Sequence, residues 1–139
     1  MSKNEKPIGY WLKEADKAIS AKVNQNLRKF NLTRSHWQVF NTVVEKGETT
    51  KTEIIQLLHN FFDSAKLDQL IHDFVQRKWM ATTNDSDEIV IRITEEGKTA
   101  YSEILATQQK TRMQLVEGIT KEEHATTIRV LKQIVANSK

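Results

Sequence analysis

Residues 82–98, TTNDSDEIVIRITEEGK, read as a short hairpin followed at once by a helix start. The runs WMATT (79–83) and EIVIRIT (88–94) are short and β-branched, and the turn-rich tetrad NDSD separates them. In the second run Ile89, Ile91 and Ile93 share one face of a strand, while Val90 and Arg92 point the other way. Thr94 then reads as a helix N-cap, with Glu95 and Glu96 in the first turn, where acids favour the helix dipole. An isolated two-stranded hairpin is only marginally stable, so this one must pack against helices. The tip carries Asp85, Asp87 and Glu88, three acids in four residues.

Upstream of the hairpin the apolar spacing is helical. Ile8, Trp11, Leu12, Ala15, Ile19, Val23, Leu27 and Phe30 form one stripe behind Pro7, which suits a helix start. A second helix begins near the cap candidate Thr33, buries Trp37, Phe40, Val43 and Val44, and stops at Lys46-Gly47. Thr50-Lys51-Thr52-Glu53 has the pattern of a capping box for a third helix, with Ile54, Leu57 and Leu58 inward. Asp63 or Ser64 caps a fourth, over about residues 64–78, with Leu67, Leu70, Ile71 and Phe74 inward. Downstream, a long helix carries Tyr101, Ile104, Leu105, Met113, Leu115 and Val116. After Gly118, a second capping box, Thr120 to Glu123, opens a last helix with Ala125, Ile128, Leu131, Ile134 and Val135 on its apolar face. The order is four helices, a hairpin and two helices, without internal repeat or linker. The fold class is mainly α, in one domain spanning residues 1–139.

The 139 residues are 38% hydrophobic, and no apolar run nears the ~20 residues of a bilayer span. The start, MSKNEKPIG, lacks the apolar core of a signal peptide, so a cytoplasmic location and no membrane partner are expected. Cysteine is absent, which removes disulfides, thiolate metal sites and thiol switching. His72 lies four residues from Asp68 and His59 four from Asp63, but two ligands do not make a metal site. No Ser-His-Asp set, phosphate-cradling glycine loop or paired-carboxylate cleft follows from the spacing. Neither an enzyme nor a cofactor is therefore expected. The net charge of +3 permits a nucleic-acid partner without demanding one. Residues 1–32 hold seven cations against three anions, and Arg34, Lys51, Arg77 and Lys78 extend this basic contribution toward the centre.

Leu32-Thr33 followed by Trp37, then Gly47, Thr50, Glu53-Ile54, Leu58 and finally IRITEEGK, resembles the MarR family of winged helix-turn-helix transcription regulators. Each motif alone is weak; their order and spacing over residue 8 to the end are more specific. The resemblance implies a winged helix-turn-helix with a two-stranded β-wing. About residues 33–93 would form the DNA-binding module, and about 8–32 and 94–139 the dimerisation helices. It also implies a homodimer, double-stranded DNA as partner, the fourth helix in the major groove, and release by a small, often phenolic, aromatic ligand. The chain departs from the family where Gln69 stands in place of a common Arg and where HNFF lengthens the helix-turn. It departs again at the short acidic wing, where Asp87 falls near a customary arginine.

Helical geometry places Ala65, Gln69, His72 and Gln76 opposite the buried residues of the fourth helix, with Lys66, Asp68 and Asp73 beside them. If this face meets DNA, the Gln69 amide suits adenine, and Asp68 can accept from cytosine. Ser64 and Lys66 suit phosphate, and Thr50, Lys51 and Thr52 at the start of the third helix are further DNA-binding candidates. Arg92 is the one cation of the hairpin. Tyr10, Trp11 and His36 are the candidates for a ligand pocket between the first two helices. A solvated face that touches nothing is the competing reading of the fourth helix. A relative with weakened DNA binding that acts through protein–protein contact is the competing reading of the whole chain.

Overall fold

A computed structural model of the chain describes residues 5–139; Lys3, counted above among the N-terminal cations, lies outside them. Six α-helices and three short strands follow in order: α1 (Ile8–Leu27), α2 (Arg34–Lys46), β1 (Glu48–Thr50), α3 (Lys51–Leu58), α4 (Ser64–Gln76), β2 (Met80–Asp85), β3 (Glu88–Ile93), α5 (Glu95–Leu115) and α6 (Lys121–Asn137). The sheet order is β1-β3-β2, both pairings antiparallel. The two-stranded wing forms from β2 and β3 as expected, and β1, which the sequence does not announce, adds a third strand to its sheet. Glu48, Thr49 and Thr50 pair with Arg92, Ile91 and Val90, closing the edge of β3. The first helix is also shorter than its apolar stripe. It ends at Leu27, a 3-10 turn carries Arg28–Phe30, and Asn31 takes a left-handed φ of 56°.

The helix boundaries follow from local chemistry. The Thr33 hydroxyl accepts from the His36 amide while its own amide donates to His36 Nδ1, a reciprocal cap in which a histidine replaces the usual Glu. Asp63, not Ser64, caps α4, accepting from the Lys66 amide at 2.8 Å. At the other end of α4, Lys78 adopts φ 65° and the Trp79 amide returns to the Phe74 carbonyl at 3.0 Å, a Schellman closure that turns the chain into β2. The Thr120–Glu123 capping box forms as the sequence indicates. The Thr50–Glu53 box forms only by half. Thr50 accepts from the Glu53 amide, but the Glu53 carboxylate takes the Thr49 hydroxyl at 2.9 Å instead of reaching back to Thr50.

Val39, Phe40, Val43, Ile54, Leu67, Leu70, Phe74 and Ile91 are buried in one core spanning α2, α3, α4 and β3, and Leu27 and Ile104 join it from α1 and α5. Phe40 stacks on Trp79 at 5.4 Å and lies 5.0 Å from Phe74. Trp37 stacks on Tyr101 at 5.2 Å, and the Tyr101 hydroxyl donates to Asn41 at 2.6 Å. Gly97 explains itself here. A Cβ at this position would meet the Trp79 carbonyl oxygen and Ile93 Cδ1, so only glycine lets α5 leave the wing this close to the backbone. Thr94 fixes the same corner, donating to the Lys78 carbonyl at 2.6 Å while accepting from the Gly97 amide.

The chain ends behave differently. The last helix occurs as expected, but its apolar face is not buried: Ile128, Ile134 and Val135 are exposed, and only Val130 and Leu131 are half-covered. Ile8, Trp11 and Leu12 on the first turns of α1 are exposed too. Leu57, expected inside, is 55% exposed because α3 turns only Ile54 and Leu58 fully to the core. No helix among the described residues is long and apolar enough to cross a membrane.

Candidate nucleic-acid interface

Helix α4 is held from one side only. Leu67, Leu70, Ile71 and Phe74 are buried, and Ser64, Ala65, Lys66, Asp68, Gln69, His72, Asp73 and Gln76 are exposed. The sequence-derived face is thus the solvent face, on a helix whose opposite side is locked into the core. The Lys66 ammonium and the Gln69 amide have no intramolecular hydrogen bond among the described residues, so both are available to an incoming group. Helix α3 packs behind, and the wing stands beside the two.

The wing is tighter than the sequence reading allows. Strand β2 runs on to Asp85 and β3 starts at Glu88, leaving a two-residue turn of Ser86 and Asp87 with φ of 50° and 69°. Positive φ at both positions is the type I′ hairpin geometry. Asp85 and Asp87 remain exposed at the tip. Glu88 does not join them. Its carboxylate turns inward and accepts from the Thr52 hydroxyl at 2.8 Å and the Thr52 amide at 3.4 Å, at the first turn of α3. Arg92 is exposed on β3, across the β1 pairing from Glu48.

Several expected phosphate ligands are engaged elsewhere. Lys51 forms an ion pair with Asp68 of α4, Nζ to Oδ1 at 2.6 Å. Thr50 caps α3, and Thr52 holds Glu88. Arg34 reaches back to Asp16 and Ser20 of α1, each at 2.8 Å. Arg77 donates to the Phe30 and Asn31 carbonyls and lies 5.0 Å from the Trp79 ring, so it closes the end of the first helical segment. The basic contribution assigned to Arg34 and Arg77 is therefore internal scaffolding. No local signal in the sequence points to the Glu88–Thr52 contact, which joins residues 36 positions apart.

The three ligand candidates do not converge. His36 is buried at the start of α2, with Nδ1 accepting from the Thr33 amide and Nε2 donating to Asp73 at 3.0 Å. Burial pushes its pKa below the ordinary histidine value. The Asp73 hydrogen bond and charge oppose this shift, and the charges of Arg77 and Lys66 add to it. The imidazole is thus a neutral bracket between the α2 cap and α4. Tyr10 and Trp11 are exposed near the start of α1, about 8–15 Å along the helix from Asp16 and Ser20, which meet Arg34 of α2. The cleft that does form, 360 Å³, lies between α1, the start of α2 and the α3–α4 turn, lined by Asp16, Ser20, Arg34, Gln38, Phe61 and Lys66 among others. It is largely polar.

A helix-turn-helix buttressed by a third helix, followed by a β-wing and flanked by long terminal helices, defines the winged helix-turn-helix class. No protein-family model matches the sequence, and no curated protein matches it. Solved structures do match, and the shared fold is that of the MarR-family regulators. A MarR-family regulator from Rhodococcus superposes with a TM-score of 0.83 at 20% identity, covering 91% of each chain. A mutant of MarR from E. coli, complexed with operator DNA, gives 0.81 at 19% identity, over 92% of this chain and 93% of that one. BpsR of Bordetella bronchiseptica, whose DNA binding is regulated by 6-hydroxynicotinic acid, gives 0.82 at 16% identity, over 96% and 98%.

Proposed function

We propose that the protein is a DNA-binding transcription regulator of the MarR type, a homodimer that places α4 in the major groove and acts as a repressor. The observation that carries this reading is α4 itself. Its core side is rigid, its outer side is polar, and its N-terminal residues Ser64, Ala65 and Lys66, with Gln69 one turn on, stand free at the surface. Such a helix presents side chains to base edges without distortion of the scaffold. Gln69 reads a base, Ser64 and Lys66 hold phosphates, and His72 borders the contact. Arg92 reaches phosphate from the wing base. The homodimer is supported by the apolar faces of α1 and α6 that the chain leaves uncovered. A small aromatic ligand as the release signal is the remaining part of the proposal, supported by the regulated BpsR neighbour.

The test is binding of the full chain to the DNA upstream of its own gene and to random duplex over a range of salt. Binding to both, tighter to the upstream DNA, with affinity falling steeply as salt rises, is the expected result. Gln69→Ala should relax sequence preference by about 1–3 kcal/mol. Lys66→Ala should weaken all sequences alike and reduce the salt slope by about 1. Equal effects of both variants on every sequence would remove Gln69 from the role of base reader.

A second reading has its own observation. Residues 46–92 carry six cations and eight anions, a net −2 within a chain of +3. A module of that sign fits a protein partner better than a polyanion. Absence of any duplex binding at low salt would favour it.

A further inference from the structure

The acidic residues of the module are placed unevenly, and two of them have specific targets. Glu88, the first residue of β3, accepts from the hydroxyl and amide of Thr52. Asp68, on the outer face of α4, takes the Lys51 ammonium at 2.6 Å. Thr52 and Lys51 are consecutive and form the first turn of α3, whose third residue, Glu53, has its amide capped by Thr50. The Thr52 N–H and hydroxyl, the Lys51 ammonium and the Glu53 N–H of this turn thus each face an oxygen of the chain itself.

We infer that Glu88 and Asp68 are autoinhibitory stand-ins for DNA phosphate, a latch that duplex DNA must displace to engage the start of α3. The inference rests on the DNA-binding reading above and deepens it. A carboxylate and a phosphate present the same chemistry to these donors: anionic oxygens accepting from N–H and O–H. The two latch residues come from different elements, the wing and the recognition helix. Phosphate at the first turn of α3 therefore competes with contacts that fix where both elements sit relative to α3. Freeing Lys51 and Thr52 changes the local charge as well. With Asp68 in contact, Lys51 contributes little net positive charge at the surface, and the counterion release that drives association with a duplex is correspondingly small. An acidic wing residue is then a control on affinity, whatever the rest of the wing contacts.

The test compares the full chain with the double variant Asp68→Asn, Glu88→Gln, which keeps both side-chain shapes and removes the two negative charges that face Lys51 and Thr52. Binding to the duplex upstream of the gene and to random duplex is measured from low to moderate salt. The double variant should bind both duplexes about tenfold or more tightly at low salt, and its log–log salt slope should steepen by about 1, for the single ammonium, Lys51, that is freed. Adding Lys51→Ala to the double variant should reverse most of that gain. A variant that merely lost stability would bind more weakly, not more tightly. Wild type that binds while the double variant keeps the same affinity and slope overturns the latch and leaves the DNA reading standing. A silent wild type with a binding double variant supports the latch but counts against duplex binding by the chain as it stands. If neither binds either duplex at low salt, the latch and the DNA reading fall together.

Discussion

The central module and the terminal helices are built from similar amounts of apolar sequence, yet they bury it to different extents. Between α2 and β3 Phe40, Phe74, Ile54 and Leu67 have no exposed surface, with Leu57 and Phe61 the large side chains left half-exposed. In α6 no residue is buried, and Trp11 at the other end of the chain is 51% exposed. The module satisfies its apolar faces within one chain because α2, α3, α4 and the wing surround a single point. The first half of α1 and α6 share a groove lined by Ile8, Leu12, Thr126, Thr127, Val130 and Leu131. An amphipathic helix left half-wet is incomplete, and in the proposed homodimer a second copy of the chain would complete it under twofold symmetry.

The largest test of this contrast is Phe74→Ala. Removing a fully buried ring that packs against Phe40 and Trp79 should cost about 3–5 kcal/mol and unfold the module in a denaturant titration. Next in size is Gly97→Ala. The added methyl collides with the Trp79 carbonyl and Ile93, so overpacking of about 1–3 kcal/mol should appear as a lower thermal midpoint. Ile134→Asp on α6 probes the other region. At this exposed site it should leave the secondary structure of the module intact and weaken self-association about tenfold or more, read by sedimentation. A loss of module structure in Ile134→Asp, or unchanged association, would erase the distinction between the two regions.

The smallest effect is a pH dependence. His36 has a folded pKa below its unfolded value near 6.5, so the unfolded chain binds the extra proton first. The stability associated with the neutral ring is complete above about pH 6.5. It declines as pH falls from there toward the folded pKa, because protonation at Nδ1 would set a second donor against the Thr33 amide. Denaturant midpoints at pH 7.5 and 5.5 should differ in that direction, and His36→Gln should flatten the difference.

What the sequence reveals divides along the same physical line. Most caps, the I-R-I strand alternation and the abrupt turn into α5 depend on neighbours within a few residues and read correctly from the chain; the Thr50–Glu53 box fails by half because Thr49 takes the Glu53 carboxylate. The four-residue tetrad NDSD resolves into a two-residue turn because strand pairing extends β2 by two residues. Strand β1 is invisible locally, since three residues become a strand only by pairing with β3, some 40 positions on. The exposed face of α4 is legible from period alone. The occupation of Lys51 by Asp68, of Thr52 by Glu88 and of Arg34 by Asp16 is not, because each depends on how separate elements come to rest. The acidic wing tip divides in the same way. Asp85 and Asp87 are surface charges, whereas Glu88 is a tertiary contact that the linear run of acids conceals.

The most direct test of the whole account is sedimentation of the full chain, alone and with a duplex from upstream of its gene, at low and at raised salt. The account predicts a dimer alone, two chains on each upstream duplex at low salt, and dissociation of the complex, but not of the dimer, as salt rises. A monomer in solution, or no complex with duplex at any salt, would contradict it.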